Sequence, residues 1–301
     1  MLKIIIFSSL PPPIGGVTKS VENLLRALKS KSVDTSIIST YSSFKPLFGR
    51  YDIAHIHYTK SWKRLVAILL GKLVAKKVIY TIHGNRYNNE NKLNDICEKL
   101  VDGAILLNEN AENRYKNKFR RTVVLGSLFS EGIVQNNLTN KNHIQRVENK
   151  VYLLIYAFDK TYRNSKEVYG VNFMLENIYN LDDKYILVLL DIKGGYRNDV
   201  NSISSDSLIY LDHEVDFLSL LLEVDIYVRP TTTDGSSVAV QEALILGKKV
   251  LASDVVERPA EVTLYKSGDF DDFKDKLENI KDSKGFSPNS IDDYIAFCKK
   301  L

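Results

Sequence analysis

The sequence predicts an α/β protein made of two doubly wound, Rossmann-like domains in tandem. Three observations lead to this prediction. Short β-branched runs alternate with longer amphipathic runs along the chain, which is typical of parallel sheets covered by helices. A polar segment without periodicity, residues 136–150, interrupts the alternation, which then restarts. The length of 301 residues suits two domains of about 150 residues each.

The first half of the chain contains the predicted elements of one such domain. A buried strand at residues 3–8 precedes a helix at residues 17–29, whose apolar residues recur at helical spacing: Val21, Leu24, Leu25 and Leu28. Further strands are predicted at residues 35–39, 53–57, 78–82, 104–107 and 123–125, and further helices near 61–75, 93–101 and 111–118. We assign residues 1–145 to an N-terminal Rossmann-like domain.

The second half repeats the pattern. Strands are predicted at residues 151–157, 185–190, 207–211, 226–228 and 249–252, and helices at 171–180, 215–222, 237–246, 270–280 and 290–300. We assign residues 146–301 to a C-terminal Rossmann-like domain and allow for its last helix crossing back to the N-terminal domain. Two such sheets in tandem predict a cleft between the carboxyl ends of their strands, where ligands usually bind.

Charge is distributed unevenly along the chain. Residues 1–145 contain 22 Lys and Arg against 10 Asp and Glu, a net charge of +12, whereas the remaining residues contain 19 against 27, a net charge of −8. The two halves are therefore expected to have different partners. The composition is otherwise that of a soluble globular protein, with 44% hydrophobic and 26% charged residues.

The sequence also predicts a cytoplasmic location. The first nine residues form a strand-like run and lack the basic and apolar regions of a signal peptide. No stretch approaches the roughly 20 apolar residues that span a bilayer. Cys97 and Cys298 lie far apart without metal-ligand spacing, which favours two reduced structural thiols.

Two features of the first half are candidates for ligand binding. Gly15 and Gly16 lie at a predicted strand-to-helix turn, where backbone N–H groups can approach an anion; a purely structural turn is the alternative. His83 ends a predicted strand and is expected to point into the cleft, the alternative being a structural histidine. His55 and His57 share one strand face, but no third ligand follows, so no metal site is predicted.

The most specific pattern lies between Asp225 and Asp254, where a strand, a polar turn, a helix and a strand follow one another. The turn places hydroxyl and backbone N–H groups at a helix N-terminus, which favours an anionic ligand. Its candidate binding residues are Thr233, Gly235, Ser236 and Ser237. Asp234 and Glu242 are expected to contact different parts of one extended ligand, with Glu242 on a hydroxyl-bearing group such as ribose; a solvated helix face is the alternative for Glu242.

These motifs resemble those of retaining glycosyltransferases with the GT-B fold, of the type called glycosyltransferase family 4. The resemblance spans the whole chain and rests on the Gly15-Gly16-Val17 turn, the strand end Thr81-Ile82-His83-Gly84, and the segment from Arg229 through Glu242 to Arg258-Pro259. The family's pattern has two glutamates separated by seven residues; this chain has Asp234 in the first place and Glu242 in the second. The resemblance implies that Asp234 contacts the donor sugar and that Glu242 holds the nucleotide ribose.

A basic pair also belongs to the family's pattern. Counting back from Gly170 places Arg163 at the arginine position, whereas Tyr169 stands where lysine is usual. Lys166, or alternatively Lys160, is expected to supply the second positive charge. Such a basic cluster would neutralise the diphosphate leaving group.

The resemblance implies a hexosyltransferase-type enzyme that retains anomeric configuration without a protein nucleophile. The donor's phosphate would help to deprotonate the acceptor hydroxyl, and His83, Asp234 and Arg163 would be the catalytic residues. The expected donor-binding residues are Gly15, Gly16, Arg163, Lys166, Thr233, Gly235, Ser236, Ser237 and Glu242. No metal or other cofactor is expected, and the only D-x-D triplet, residues 269–271, is assigned to the start of a helix.

The segment between Tyr58 and Lys77 combines apolar and basic residues. Its predicted apolar stripe consists of Leu65, Ile68, Leu69 and Leu73, and its cations are Lys60, Lys63, Arg64, Lys72, Lys76 and Lys77. Such a helix can lie on an anionic membrane surface; a packing helix with a basic solvent face is the alternative. No nucleic-acid motif is recognised, so nucleic acid is not an expected partner.

The leading hypothesis is a glycosyltransferase that moves a sugar from a nucleotide-sugar to a glycan or lipid-linked acceptor, in bacterial cell-surface polysaccharide or glycolipid assembly. The protein would be cytoplasmic or peripheral on the inner face of the membrane. A nucleotide-sugar epimerase of the same fold is one alternative, and a non-catalytic partner subunit is another. The sequence does not indicate the donor sugar, its base or the acceptor.

Overall fold

A computed structural model describes residues 2–10, 15–39, 45–83, 92–127, 129–132, 142–283 and 285–301. The chain divides into two compact units. The first unit consists of Met1–Val134, Gly235–Val238 and Pro288–Leu301, and the second unit consists of Gln135–Asp234 and Ala239–Ser287. The prediction of an α/β protein with two parallel sheets is confirmed.

The first unit is built on one parallel sheet. Its strands are β1 (Lys3–Phe7), β2 (Asp34–Ile38), β3 (Tyr51–Ile56), β4 (Ala75–Ile82), β5 (Gly103–Leu106) and β6 (Thr122–Val124). Its helices in this part of the chain are α1 (Gly16–Ser30), α2 (Ser61–Val74), α3 (Lys92–Leu100) and α4 (Glu109–Tyr115). The six strands are ordered β2-β1-β3-β4-β5-β6.

Strand β1 illustrates why this sheet has helices on both faces. Ile4, Ile5, Ile6 and Phe7 are all buried. Ile5 and Phe7 pack into one core cluster, and Ile4 and Ile6 pack into another. Because successive side chains of a strand point to opposite faces, a continuous apolar run needs cover on both sides.

The second unit repeats this design. Its strands are β7 (Val151–Ala157), β8 (Tyr162–Arg163), β9 (Lys166–Glu167), β10 (Tyr185–Asp191), β11 (Leu208–Leu211), β12 (Ile226–Arg229), β13 (Lys249–Ser253) and β14 (Thr263–Tyr265). Its helices are α5 (Val171–Glu176), α6 (Arg197–Asn201), α7 (Phe217–Glu223), α8 (Val238–Ile245) and α9 (Phe270–Glu278). The parallel sheet has the order β11-β10-β7-β12-β13-β14, and β8 and β9 form a separate antiparallel hairpin.

The last helix, α10 (Ile291–Lys300), belongs to the first unit. Its Ile291 and Tyr294 lie in the same core cluster as Val21 of α1. The carboxylate of Glu131 accepts hydrogen bonds from the backbone N–H of Ile291 at 3.0 Å and from the Ser290 hydroxyl at 2.9 Å. A carboxylate at a helix N-terminus satisfies otherwise unpaired N–H groups, so Glu131 fixes the start of α10.

Short elements differ from the predictions. The helix predicted at residues 171–180 ends as α5 at Glu176, and a separate 3₁₀ turn follows at Ile178–Asn180. The β8–β9 hairpin, α6 and β14 were not predicted, because elements of two to five residues are too short to show a period. Asp269 caps α9 by accepting a hydrogen bond from the backbone N–H of Asp272. The triplet at residues 269–271 therefore lies at the start of a helix, as predicted.

No helix within the described ranges is long and apolar enough to cross a membrane.

Gly170 provides a test of the packing in the second unit. It has a left-handed backbone with a φ of +71°, and a Cβ built there would lie 1.8 Å from the carbonyl oxygen of Pro230. Gly247 has a φ of +70° and no described atom within 4 Å of its Cβ position, so it is a matched control. We expect Gly170→Ala to prevent folding or to lower the free energy of unfolding by at least about 3 kcal/mol, and Gly247→Ala to lower it by about 1 kcal/mol.

Urea denaturation followed by circular dichroism measures both changes. Equal losses of stability in the two variants would contradict the close contact between Gly170 and Pro230, because the left-handed backbone is common to both positions.

Candidate functional site

Three histidines of the first unit lie together at the ends of β3 and β4. The ring centroids of His55 and His57 are 4.0 Å apart. His57 Nδ1 lies 2.9 Å from His83 Nε2. His55 is held on both sides, by the Tyr294 hydroxyl at 2.9 Å from Nδ1 and by the Thr81 hydroxyl at 2.7 Å from Nε2. His57 and His83 are therefore hydrogen-bonded to each other, and the His55 ring lies next to His57 with partners of its own.

Burial keeps these histidines neutral. It lowers the pKa of His55 to about 3, with a smaller contribution from His83, and it lowers the pKa of His83 to about 4. The pKa of His57 falls well below its ordinary value for the same reason, with added contributions from His55 and His83. A neutral imidazole carries one N–H donor and one acceptor nitrogen. One ring nitrogen of the His57–His83 pair must therefore donate and the other accept.

The surroundings of His57 indicate which nitrogen donates. His57 Nε2 is buried and has no hydrogen-bond partner among the described residues. Because a buried donor is rarely left without a partner, we place the proton of His57 on Nδ1, from which it is donated to His83 Nε2. His83 then carries its own proton on Nδ1. His83 is half-buried, and its Nδ1–H is a donor that the His57–His83 hydrogen bond does not use.

The glycine turn of the first unit leaves space at a helix N-terminus. The backbone N–H of Gly15 donates to the Thr18 hydroxyl at 2.9 Å, and α1 begins at Gly16. No described atom lies within 4 Å of a Cβ built at Gly16. Contacts with the described residues therefore do not require glycine at this position. Gly84 lies outside the described residues.

In the second unit, Asp234 lies between two arginines. Arg229 donates from Nε to Asp234 Oδ2 at 3.0 Å and from Nη2 to Oδ1 at 3.2 Å. Arg258 donates from Nη2 to Oδ2 at 2.7 Å. Burial alone would raise the pKa of Asp234, but the two guanidinium groups outweigh it and lower this pKa to about 2. Asp234 is therefore ionised at neutral pH, and its oxygens are occupied by arginine donors.

Tyr169 lies beside this group. The guanidinium carbon of Arg229 is 5.6 Å from the centroid of the Tyr169 ring. Glu167 Oε1 accepts from the Tyr169 backbone N–H and from the Tyr196 hydroxyl, both at 2.5 Å. The Thr232 hydroxyl donates to the backbone oxygen of Glu167 at 2.6 Å. The Thr232 bond attaches the loop that carries Tyr169 to the segment after β12, and the Tyr196 bond attaches it to the residue before α6.

The predicted basic residues lie on the β8–β9 hairpin. Arg163 and Lys166 are direct cross-strand partners, and the two residues between them, Asn164 and Ser165, have positive φ angles. Lys166 is exposed and Arg163 is half-buried. Lys160 forms an ion pair with Asp199, with N–O distances of 2.7 and 2.8 Å. The structure thus brings Arg163 and Lys166 together, whereas Lys160 is paired elsewhere.

The polar turn and α8 complete this part of the second half of the chain. Thr233, Gly235, Ser236 and Ser237 are half-buried, and Glu242 on α8 is buried. The Ser253 hydroxyl donates to the backbone oxygen of Thr231 at 2.6 Å. Burial raises the pKa of Tyr156, and Tyr169, Arg229 and Glu242 all act on it electrostatically. Tyr156, on β7, therefore shares one neighbourhood with them.

Sequence reasoning missed the role of the two arginines. The sequence places Arg229 and Arg258 in the segments that carry the family resemblance but indicates no partner for either. An arginine as the last residue of a strand whose other residues are buried is an unusual signal, because a buried arginine needs a carboxylate partner. Arg258 lies 24 positions from Asp234, and sequence spacing does not reveal such a pairing.

Helix α2 corrects the prediction of a single apolar stripe. Ile68 is buried, whereas Leu69 and Leu73 are exposed, so the predicted stripe belongs to two faces. The exposed apolar face consists of Trp62, Val66, Leu69 and Leu73, and the buried face consists of Arg64, Ala67, Ile68, Gly71 and Val74. At 100° per residue these two sets lie on roughly opposite sides of the helix.

The basic residues of this segment are also placed differently. Arg64 is buried, with its guanidinium carbon 4.6 Å from the centroid of the Tyr80 ring. Lys76 and Lys77 belong to β4, not to the helix. Lys72 and Lys77 pair with Asp102, and Lys76 pairs with Asp52. The six cations that make this segment basic are therefore not all available on the surface of one helix.

Comparison with known proteins gives one curated sequence relative and several solved structures of similar fold. No protein-family model matches the chain. The chain is 22% identical over 286 residues to UDP-Gal:alpha-D-GlcNAc-diphosphoundecaprenol alpha-1,3-galactosyltransferase of Escherichia coli, covering 83% of this chain and 70% of that protein. The solved structures include Anabaena Alr3699/HepE in complex with UDP, with a TM-score of 0.65, 12% identity and coverage of 93% of this chain and 89% of that one. They also include sucrose-phosphate synthase from Thermosynechococcus elongatus, with a TM-score of 0.66, 13% identity and the same coverages, 93% and 89%.

These structural similarities confirm the predicted GT-B fold. The relative from Escherichia coli is named as a hexosyl-transferring enzyme. Sequence and structure together therefore support an enzyme of the glycosyltransferase class, consistent with the predicted hexosyltransferase.

The histidine cluster predicts a pH dependence of stability. A buried neutral histidine has a folded-state pKa below its unfolded value of about 6.5, so between about pH 4 and pH 6.5 the unfolded chain binds more protons. The free energy of unfolding should then fall as the pH is lowered through this window, by up to about 1.4 kcal/mol per pH unit for each histidine. Above about pH 6.5 the three histidines should not affect the free energy of unfolding. Replacing His57 with Asn should make this fall less steep by about 1 kcal/mol per pH unit.

Urea denaturation between pH 5 and pH 7.5 measures the slope. His213 is exposed on the second unit, and His213→Asn is the control for the same substitution outside the cluster. An unchanged slope in His57→Asn would show that the cluster does not hold His57 neutral.

Proposed function

We propose that the protein transfers a hexosyl residue from a nucleotide-sugar donor to a glycan or lipid-linked acceptor. The observation that carries this proposal is the group of buried charged side chains at the carboxyl ends of β7, β12 and β13. Arg229 and Arg258 supply positive charge there, and Glu242 lies on the adjacent helix. In doubly wound sheets this edge is where phosphate-bearing ligands bind.

The donor in this proposal is a UDP-sugar, and the acceptor is an isoprenoid-diphosphate-linked sugar. The name of the Escherichia coli relative gives UDP-galactose as its donor and a diphosphoundecaprenol-linked sugar as its acceptor. The similar Anabaena structure contains UDP. In this chain, Glu242 would hold the nucleotide ribose, and the turn from Thr233 to Ser237 would surround the phosphates with hydroxyl and N–H groups.

The proposed reaction retains the anomeric configuration. The acceptor hydroxyl oxygen bonds to the anomeric carbon, the bond from that carbon to the diphosphate oxygen breaks, and the proton passes to the departing diphosphate. His83, kept neutral by burial, would donate from Nδ1 to a hydroxyl of the donor sugar. The family resemblance supports retention and independence of metal ions, and a cell-surface polysaccharide or glycolipid as the product.

Ligand binding tests the donor. We expect UDP and UDP-hexoses to raise the melting temperature more than GDP-, ADP- or CMP-sugars, because a ligand at 100 times its Kd stabilises a fold by about 2.7 kcal/mol. Glu242→Ala should weaken UDP binding, and Arg163→Ala should lower the rate of transfer, whereas Lys184→Ala, which removes an exposed ion pair with Glu278, should change neither.

Product analysis by mass spectrometry separates transfer from the alternatives. Donor incubated alone should remain unchanged, and a new glycoside should form only with an acceptor, at a rate that EDTA does not change. Conversion of the donor without acceptor would identify an epimerase, and binding without either reaction would identify a non-catalytic subunit.

We also propose that α2 contacts the inner face of an anionic membrane. Its exposed apolar face contains Trp62, which is 57% exposed, and Leu73, which is 70% exposed. Lys60 and Lys63 lie at the start of the same helix, where they would meet anionic headgroups. A membrane position would bring the enzyme to a lipid-linked acceptor.

Trp62 is the only tryptophan of the chain, so its fluorescence reports this contact directly. Vesicles containing phosphatidylglycerol should shift its emission to shorter wavelength and co-sediment with the protein, whereas pure phosphatidylcholine vesicles should do so much less. Replacing Leu69 and Leu73 with Gln should reduce sedimentation at least about tenfold, since each buried leucine adds about 1.5 kcal/mol or more. Leu222→Gln, at an exposed position of the second unit, is the control; equal binding by all variants would exclude α2 as the contact.

A further inference from the structure

The two buried arginines around Asp234 suggest a division of roles that differs from the family's pattern. We infer that Arg229 presents a positive charge to the diphosphate of the donor, and that Asp234 is a positioning residue that holds Arg229 and Arg258 and does not contact the sugar. This inference rests on the proposed function and specifies which side chain faces which part of the donor.

The geometry of Asp234 supports a positioning role. Its Oδ1 accepts from one arginine, and its Oδ2 accepts from both. The Arg229 pair is bidentate, which is the geometry that fixes a guanidinium plane most firmly. The Asp234 side chain is 11% exposed. Arginine donors therefore take three of the roughly four acceptor sites of this carboxylate, which leaves it little capacity for a sugar hydroxyl.

The charge of the group suits an anionic ligand. Two guanidinium groups and one carboxylate together carry a net charge of +1. Arg258 is 2% exposed in its side chain, and its Nε is buried without a hydrogen-bond partner among the described residues. Burying an excess charge and an unpaired donor lowers stability. A phosphate group would offset that cost when it binds.

The position of Arg229 matches the charge that the family's pattern places at a lysine. Tyr169 occupies that lysine position in this chain, and the guanidinium carbon of Arg229 lies 5.6 Å from the Tyr169 ring centroid. Arg229 is the last residue of β12, and β12 pairs directly with β7 in the sheet. The positive charge at this position is therefore supplied by Arg229 of strand β12, and not by a residue of the loop before α5.

The nearby lysines are less suited to this role. Lys160 is paired with both oxygens of Asp199. Lys166 is exposed on the β8–β9 hairpin, where solvent screens its charge. Arg229 is mostly buried, so its charge acts in a medium of lower dielectric constant and has a larger effect on a bound phosphate.

Comparison of UDP with UMP isolates the charge on the second phosphate. Isothermal titration calorimetry on the full chain should show that Arg229→Gln weakens UDP binding about 10- to 100-fold while changing UMP binding by less than about threefold. Arg229→Lys keeps the charge but not the fork, and it should lie between these values. An unchanged UDP-to-UMP ratio in Arg229→Gln would overturn the assignment of Arg229.

Comparison of UDP with UDP-galactose tests Asp234. If Asp234 positions the arginines, Asp234→Asn should weaken UDP and UDP-galactose by the same factor. A loss confined to UDP-galactose would show that Asp234 contacts the sugar and would overturn the positioning role. If Asp234→Asn does not fold, Asp234→Glu takes its place, because it retains the carboxylate. It too should weaken the binding of UDP and of UDP-galactose by the same factor.

Arg146 provides the matched control. It also forms an ion pair with an aspartate of the second unit, Asp225, at 2.8 Å, but at the amino end of β7 and β12. Arg146→Gln should leave the ratio of UDP to UMP affinity and the ratio of UDP to UDP-galactose affinity unchanged. This control separates the loss of an ion pair from the loss of a ligand contact. If the unaltered chain binds neither UDP nor any other nucleoside diphosphate, the proposed function itself fails; if it binds UDP and only the ratios contradict expectation, this inference alone fails.

Discussion

The loop before α5 and the end of β12 approach each other so closely that Gly170 has no room for a side chain. A Cβ there would lie 1.8 Å from the carbonyl oxygen of Pro230. The backbone N–H of Thr232 donates to the oxygen of Val168 at 3.0 Å, which joins the two segments on the other side of this contact. Tyr169 precedes Gly170 and Arg229 precedes Pro230. The placement of the Tyr169 ring beside the Arg229 guanidinium is therefore a direct consequence of this close backbone approach.

The two units bury polar groups in different ways. In the first unit, burial removes the charge from His55, His57 and His83. The neutral rings are hydrogen-bonded, His57 to His83 and His55 to Thr81 and Tyr294. In the second unit, Arg229 and Asp234 remain charged because each lies against an opposite charge. Neutral donors suit hydroxyl groups, and an excess of positive charge suits phosphates. The two units therefore offer different chemistry: neutral donors in the first and charged side chains in the second.

The sequence predicted the two parallel sheets because buried parallel strands require continuous apolar runs, as β1 and β10 show. It failed for α2, because an exposed apolar face and a buried one have the same period, and only the position of Gly71 against Ala54 shows which face is inside. It identified Asp234, Glu242 and His83 as residues of interest. It could not show that Asp234 pairs with Arg258, since that contact depends on how β13 continues after it leaves the sheet.

On the proposed function, the two departures of this chain from the family's pattern have a common explanation. Tyr169 in place of lysine removes one positive charge from the diphosphate position, and Arg229 would supply one from the adjacent strand. Aspartate in place of glutamate shortens the carboxylate side chain by one methylene group, which suits a side chain that bonds Arg229 five residues before it better than one that reaches toward a sugar. Each change would impair donor binding on its own, because the first leaves the phosphate without a cation and the second leaves the sugar without a carboxylate. On the proposed function, the two departures taken together would preserve the charge that binds the donor diphosphate.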